Sequence, residues 1–311
     1  MSPPTLRFAP SPNGDLHLGH AYSALLNQQL AGGLGARLLL RIEDIDLTRC
    51  TPELEAAMID DLRWLGIRWE VPVRRQSEHF EDYEAALADL SGRGLVYPAF
   101  MSRGEIRAHT AAEAARGRPW PRDPDGAPLY PGLDKALSEK ARRQRIDAGE
   151  PFAWRLDVAR AVDVVGDLSW QEANDERLAA FAAVAADPSA WGDVVLARKE
   201  TPTSYHLSVV VDDALQGVSH VVRGRDLFQA TAVQRLLQEL LGLPAPLYFH
   251  HRLIEGPDGR KLAKSRRDSG LAALRRQGVT PGEVRGRLGF ETRSEAGQPG
   301  LDQRQQGQRD E

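Results

Sequence analysis

The residues with the most distinctive chemistry are two histidines, His17 and His20, which flank Leu18 and Gly19. They follow a strand-like segment, Thr5–Phe8, and a turn rich in Pro, Asn and Gly, and a helix-like segment begins at the second histidine. Imidazoles at a helix N-terminus share a site with unpaired backbone N–H groups and the positive end of the helix dipole, which favours nucleotide phosphates. Gly19 has no side chain, so a flat base fits against the backbone there. Taken alone, such a pair is more often one capping and one packed histidine, and a zinc site would need a third ligand that the neighbouring sequence does not offer.

A second candidate site is the lysine-rich stretch that contains Lys261, Lys264 and Ser265, between a Gly-containing turn and a run of arginines. Lysine ammonium groups on flexible stems can reach a polyphosphate. Taken alone, a lysine-rich loop is far more often a solvated surface.

The first third of the chain reads as alternating strands and helices. After the first strand the pattern predicts a helix over residues 20–30 that stops at Gly32, and then a strand over Arg37–Ile42. A second helix is marked by Thr51 as N-cap, Pro52 as first residue and Gly66 after its end. A third helix is predicted from Ser77. This alternation is typical of a parallel α/β sheet.

The remainder of the chain divides by pattern into an insertion and a return to the α/β style. We predict these segments: a first catalytic half over 1–97, an inserted α+β region over 98–189, a second catalytic half over 190–246, a signature-loop region over 247–290 and a disordered polar tail over 291–311. Within the insertion, residues 154–158 and 162–168 read as strands. Further on, residues 218–222 read as a strand and Asp226 as the cap of a helix, whereas periodicity does not assign 205–215.

Composition excludes several classes of protein. The chain has 311 residues with a formal net charge of −4, is 27% charged and 41% hydrophobic, and so is neither wholly disordered nor fibrous. No apolar run approaches the roughly 20 residues of a membrane span, and the early first strand leaves no room for a targeting peptide. Cys50 is the only cysteine, which excludes an internal disulfide and fits a cytoplasmic protein. We expect no membrane partner and a monomer.

Four ordered segments resemble the class I aminoacyl-tRNA synthetases in their glutamyl version. Residues 7–20, RFAPSPNGDLHLGH, resemble the first signature region, and residues 261–265, KLAKS, resemble the second with two substitutions. Residues 41–46 and the pair of segments 211–213 and 221–224 complete the resemblance, which covers about residues 5–270. It implies an α/β fold with a Rossmann-type parallel sheet and an inserted α+β domain.

The resemblance also indicates a branch of the family. Ser11 stands where glutaminyl enzymes usually carry Glu, and fewer than fifty residues follow Ser265, so no anticodon-binding domain is expected. The chain is therefore similar to the short paralogues that activate glutamate with ATP without tRNA and transfer it to the queuosine base of tRNA(Asp). The implied partners are ATP, which carries Mg²⁺, L-glutamate and queuosine-containing tRNA(Asp). The alternatives are an enzyme that charges the tRNA 3′ end and a non-catalytic RNA- or partner-binding paralogue.

The family's site residues map onto this sequence position by position. The resemblance assigns His17, His20 and Lys264 to catalysis. It assigns ATP binding to Pro10, Gly14, His17, Gly19, His20, Lys261, Lys264 and Ser265, and glutamate binding to Arg7, Phe8, Ala9, Pro10, Ser11, Glu43, Tyr205 and Arg223. Two structural interpretations stay open: an ion pair between Arg7 and Glu43, and Tyr205 in the core. The acidic pair Asp212 and Asp213 is read as a helix cap or a surface pair.

The family's usual zinc site is degenerate here. Its four positions are Ala99, Met101, Tyr130 and Asp134, and one Tyr with one Asp cannot form a tetrahedral zinc site. We therefore predict no zinc and an insertion held by packing alone. A basic cluster nearby is either an RNA-backbone contact or a solvated helix face: Lys135, Lys140, Arg142, Arg143 and Arg145.

Overall fold

The computed structural model describes residues 3–254 and 270–290. The strands are β1 Thr5–Phe8, β2 Arg37–Ile42, β3 Glu70–Arg75, β4 Val96–Ala99, β5 Ala153–Leu156, β6 Ser169–Ala173, β7 Phe181–Ala185, β8 Val195–Arg198, β9 His220–Gly224 and β10 Leu247–His251. The α-helices are α1 Leu18–Leu34, α2 Pro52–Trp64, α3 Phe80–Gly92, α4 Arg103–Ala115, α5 Glu139–Asp147, α6 Val158–Val165, α7 Tyr205–Leu215, α8 Thr231–Leu240, α9 Leu271–Arg276 and α10 Pro281–Arg287. Short 3₁₀ turns span Gln76–Glu78, Leu133–Ala136, Pro188–Trp191 and Arg225–Leu227.

Two sheets organise these elements. The larger has seven strands in the order β3-β2-β1-β9-β10-β6-β7, all parallel to their neighbours except β7, which runs antiparallel to β6. The smaller is antiparallel, in the order β4-β5-β8. The predicted α/β class with a Rossmann-type sheet is confirmed.

The sheet order explains where a ligand can bind. From β1 the chain proceeds outward to β2 and β3, and it later returns on the other side of β1 as β9 and β10. Strand order therefore reverses between β1 and β9. In open α/β sheets the helices leave opposite faces at such a point, and a crevice forms beyond the carboxyl ends of the strands.

Helix α1 differs from its prediction at its C-terminal end. The two glycines that were expected to end it, Gly32 and Gly33, lie within the helix, which continues to Leu34. The helix ends at Gly35, whose φ of 59° is the left-handed conformation that suits a residue without Cβ. The buried face of α1, which includes Leu26 and Leu30, outweighs the low helix propensity of the two glycines.

Two predictions for the second half of the chain are wrong, and one segment that periodicity does not assign is a helix. Residues 162–168, predicted as a strand, lie largely in α6, whose N-cap Asp157 accepts a hydrogen bond from the Arg160 N–H. Asp226 does not cap a helix, because α8 begins at Thr231 with Ala230 before it. The segment 205–215 is α7.

The region predicted as an insertion contributes to both sheets. Its β4 and β5 form the small sheet with β8, whereas β6 and β7 extend the large sheet beyond β10. β4 includes residues 97 and 98, between which the first domain boundary is predicted. The remaining domain limits stay a prediction.

One large hydrophobic cluster supports the large sheet, and a second packs helices against the small sheet. One packs α1 and α2 with residues from α9 and α10 and includes Leu6, Leu25 and Leu62. The other packs α3, α7 and α8 and includes Tyr83 and Leu236. Among residues 3–254 and 270–290, no helix is long and apolar enough to cross a bilayer.

Candidate active site

A cleft of about 570 Å³ opens beyond the carboxyl ends of β1 and β9. Eleven of the predicted site residues line it: Arg7, Phe8, Ala9, Pro10, Ser11, His17, Gly19, His20, Glu43, Tyr205 and Arg223. Gly14 is not among the lining residues and lies in the preceding turn. Lys261, Lys264 and Ser265 lie outside the described residues. The cleft thus unites the proposed phosphate and glutamate residues, as the position of the strand-order reversal predicts.

The two histidines form a reciprocal cap at the start of α1. His17 is the N-cap, and its Nδ1 accepts the N–H of Gly19 at 3.1 Å. His20 Nδ1 accepts the N–H of His17, also at 3.1 Å, and the two rings stack with their centroids 3.8 Å apart. A ring nitrogen that accepts carries no proton, so each neutral imidazole bears its proton on Nε2. Both residues line the cleft, and an imidazole N–H is a donor of the kind that suits a phosphate oxygen.

Gly19 is required by the folded-back ring of His17. A Cβ at this position would lie 2.9 Å from His17 Cε1 and 3.0 Å from its Nδ1, closer than real Cβ atoms approach other atoms. The missing side chain therefore leaves room for the capping imidazole as well as for a ligand.

Arg7 is held by a buried ionic network below the cleft. Its Nε donates to Asp213 Oδ1 at 3.1 Å, and Nη1 of the fully buried Arg41 donates to the same oxygen at 2.7 Å. Burial would raise the pKa of Asp213, but the two arginines outweigh it and the pKa lies below its ordinary value. Asp212 is also fully buried and bonds Arg74, Gln76 and Tyr83, so the interpretation of the acidic pair as a cap or surface pair is wrong.

Glu43 lies between this network and the cleft. Its Oε1 accepts from Arg41 Nη2 at 3.3 Å, and its side chain is 12% exposed. Burial raises the pKa of Glu43 although the nearby Arg41 and Arg7 lower it. The alternative of a direct Arg7–Glu43 pair is not what the structure shows, because Arg7 pairs with Asp213.

Arg223 and Tyr205 also line the cleft. Arg223 Nη1 lies 3.4 Å from Tyr205 Oη, and Nη2 donates to Thr231 Oγ1 at 2.8 Å. Arg223 Nε donates to His250 Nε2 at 3.0 Å, and His250 Nδ1 lies 2.9 Å from Glu172 Oε2. Sequence reasoning assigned no role to Arg41, although it lies in the 41–46 segment, and it missed His250 and Glu172, which no local motif marks.

Comparison with known proteins places this geometry in a family. Residues 5–288 match the family model described as tRNA synthetases class I (E and Q), catalytic domain. The Glutamyl-Q tRNA(Asp) synthetase of Rhodobacter capsulatus is 45% identical over 293 residues, which cover 91% of this chain and 99% of that protein. The protein of the same name from Symbiobacterium thermophilum is 39% identical, with 91% and 85% covered. The chain belongs to the class I glutamyl-Q tRNA(Asp) synthetase family.

The solved structures agree with this membership. A glutamate tRNA ligase from Elizabethkingia meningosepticum, solved with its amino acid, superposes with a TM-score of 0.68 at 25% identity. The match covers 85% of this chain and 52% of that one, so the chain spans about half the length of the glutamate ligase. The chain is thus an aminoacyl-tRNA synthetase-like ligase by family.

The positions of the family's zinc ligands do not fit a metal in this member of the glutamyl-Q family. Ala99, Tyr130 and Met101 pack in a small hydrophobic cluster. Buried Asp134 accepts hydrogen bonds from Tyr130 Oη and, at 3.0 Å, from the Phe100 N–H. No group of three or more potential metal ligands occurs in the described parts of the chain. The absence of zinc stays a prediction, but packing is supplemented by this buried carboxylate.

The basic cluster is partly structural. Lys135 Nζ lies 2.6 Å from Asp157 Oδ1 and 2.9 Å from Asp193 Oδ2. Arg142 donates to two backbone carbonyls, and Arg145 pairs with Glu150. Lys140 and Arg143 are exposed on α5. Three of the five residues therefore brace the protein itself.

The segment that carries the second signature is anchored at the cleft on both sides. Ile254, the last described residue before it, lines the cleft. Gly270, the first described residue after it, pairs with His17, and the Leu271 N–H donates to the Leu16 carbonyl at 2.7 Å. Gly270 therefore lies beside His17, and Ile254 lies at the same cleft.

Proposed function

We propose that the chain activates L-glutamate with ATP, without tRNA, and transfers the glutamyl group to the queuosine base at the wobble position of tRNA(Asp). The observation that carries this function is one cleft that combines the His17–His20 helix start with Arg7, Arg223 and Glu43. Its two arginines match a side-chain carboxylate, and its carboxylate matches an ammonium group.

In the first step, an oxygen of the glutamate α-carboxylate attacks the α-phosphorus of ATP, and pyrophosphate leaves with the electrons of the broken P–O bond. ATP brings its own Mg²⁺ as part of the substrate, which neutralises charge on the leaving group. Nε2–H of His17 and of His20 donate to phosphate oxygens, and Lys264 follows the pyrophosphate. The protein forms no covalent bond, so catalysis is positioning and charge stabilisation.

Glutamate selection follows from charge pairing. Arg7 and Arg223 receive the side-chain carboxylate, Glu43 binds the ammonium group, and Ser11 and Tyr205 complete the pocket. Glutamine is rejected because its neutral amide cannot pair with the positive charge of Arg223. In the second step, a hydroxyl of the queuosine cyclopentenediol attacks the mixed anhydride and AMP leaves.

The test is glutamate-dependent exchange of pyrophosphate into ATP by the purified chain without tRNA. We expect exchange with glutamate and none with glutamine, and glutamate incorporation only into tRNA that already contains queuosine. Glutamylation of unmodified transcripts would instead identify an enzyme that charges the 3′ end. Absence of exchange would identify a non-catalytic paralogue.

A further inference from the structure

Arg223 is held by a chain of hydrogen bonds that leads away from the cleft. Its Nε donates to His250 Nε2 at 3.0 Å, and His250 Nδ1 lies 2.9 Å from Glu172 Oε2. Arg223 and His250 are 5% exposed each. The imidazole is fixed by Phe228, edge-on at 5.2 Å between centroids, and is parallel to Tyr248 at 6.0 Å.

The hydrogen-bond directions fix the protonation of His250. Arginine has donors and no acceptor, so His250 Nε2 must accept and cannot carry a proton. The proton of the neutral ring is then on Nδ1, which donates to Glu172. Burial and the charge of Arg223 lower the pKa of His250 to about 4, although Glu172 acts in the opposite direction. The ring is therefore neutral near pH 7.

The two arginines of the cleft are thus anchored by different chemistry. Arg7 Nε bonds a carboxylate, Asp213, which cancels charge at close range. Arg223 Nε bonds the neutral imidazole of His250, and the carboxylate of Glu172 follows as the next group in this chain of hydrogen bonds. A neutral acceptor fixes the plane of the guanidinium and leaves its positive charge for a ligand. Nη1 of Arg223 lies beside Tyr205, a residue of the cleft.

We infer that His250, held by Glu172 of β6, is a positioning residue that orients Arg223 for the glutamate side chain without neutralising it. This inference rests on the proposed function. It assigns a role in substrate selection to two residues that do not touch the substrate, one of them from the region predicted as an insertion.

The experiment compares two variants of similar size in the full chain, His250→Asn and His250→Gln. The Asn amide reaches the position of Nδ1 and retains the bond to Glu172, whereas the Gln amide reaches the position of Nε2 and offers Arg223 an acceptor. In the exchange assay we expect the KM for glutamate to rise roughly tenfold to hundredfold in His250→Asn, the range for losing one hydrogen bond to a charged group. We expect a smaller rise in His250→Gln, an unchanged KM for ATP in both, and a lower glutamate-to-glutamine ratio in His250→Asn.

A third variant, Glu172→Gln, tests the support of the imidazole. Both Glu172 oxygens accept hydrogen bonds. Oε1 accepts from the His250 N–H, and Oε2 accepts from Trp170 Nε1 and His250 Nδ1. The NH₂ group of a glutamine at this position would therefore face another donor, whichever way the amide is turned. We expect its KM for glutamate to rise with the KM for ATP unchanged. Thermal melting confirms that each variant is folded.

Two results would overturn the inference. The first is an unchanged glutamate KM in folded His250→Asn; the second is an equal loss in kcat for all three variants with both KM values unchanged, which a merely structural role would produce. Failure of the proposed function is distinguishable, because the unmodified chain would then show no exchange or would glutamylate tRNA that lacks queuosine.

Discussion

At the scale of single residues, the cleft places ionisable groups in pairs whose burial sets their charge. Asp213 stays ionised because two arginines outweigh its burial, whereas burial raises the pKa of Glu43. Glu43 is therefore the acidic group of the cleft most ready to take up a proton as the pH falls. An ammonium group bound beside it would favour the ionised form and reverse that shift.

We predict that the KM for glutamate rises as the pH is lowered, and that the rise begins above the pH at which an ordinary glutamate side chain takes up a proton. An acid with a raised pKa becomes protonated at a higher pH, and protonated Glu43 offers no charge to the substrate ammonium. The measurement is glutamate KM against pH at saturating ATP. Glu43→Gln should show a high KM with this pH dependence removed; a Gln variant that keeps the same profile would contradict the assignment.

At the scale of elements, the start of α1 joins folding to chemistry. His17 supplies the cap with Nδ1 and offers Nε2 to the cleft, and His20 closes the cap from the third helical position. A single ring therefore carries both a structural and a proposed catalytic function. The two functions can be separated by asparagine at position 17, because its short amide replaces the Nδ1 acceptor but does not reach as far as Nε2.

We predict that His17→Asn loses activity and retains stability. Asparagine is among the best N-cap residues, so the melting temperature should stay close to that of the unmodified chain. Loss of one donor to a phosphate should lower the exchange rate by roughly tenfold to hundredfold, corresponding to about 1.5–3 kcal/mol. His17→Ala is the matched comparison and should lose both. Equal activity in His17→Asn and the unmodified chain would refute a phosphate contact.

Elements with local signals were predictable from the sequence, and those decided by tertiary contacts were not. The cap at Thr51 and the end of α2 near Gly66 follow from neighbouring residues and are confirmed. Asp212 and Asp213 look like surface residues because their arginine partners are distant in sequence. The His250–Glu172 pair joins positions 78 apart, and no periodicity in the sequence predicts this contact. The family resemblance supplied the cleft residues, whereas their supports required coordinates.

At the scale of the whole molecule, the inserted region is held together by buried carboxylates at and near the positions predicted to be a degenerate zinc site. Tyr97 Oη lies 2.5 Å from Asp193 Oδ2, and Lys135 bridges Asp193 and Asp157. With the Tyr130–Asp134 contact, these bonds tie the 3₁₀ turn at Leu133–Ala136 to the small sheet. Buried carboxylates with several donors thus cross-link this part of the inserted region.

We predict that a chelator leaves the melting temperature of the chain unchanged, whereas Asp134→Ala lowers it clearly. The substitution strands the Phe100 N–H and Tyr130 hydroxyl without their acceptor, at about 1–3 kcal/mol for each group. Thermal melting with and without the chelator, together with metal analysis, provides the measurement. One zinc per chain, or a melting temperature that falls with the chelator, would contradict the prediction and show that a metal stabilises the chain.

The edge of the large sheet has a consequence for attempts to shorten the enzyme. β6 and β7 belong to the segment between the two predicted catalytic halves, and β6 pairs with β10. Replacing the residues between β4 and β8 by a linker would therefore remove both strands and expose the edge of β10. Such a truncated protein would keep both histidines and both arginines in its sequence and would still lack the strand that bears Glu172.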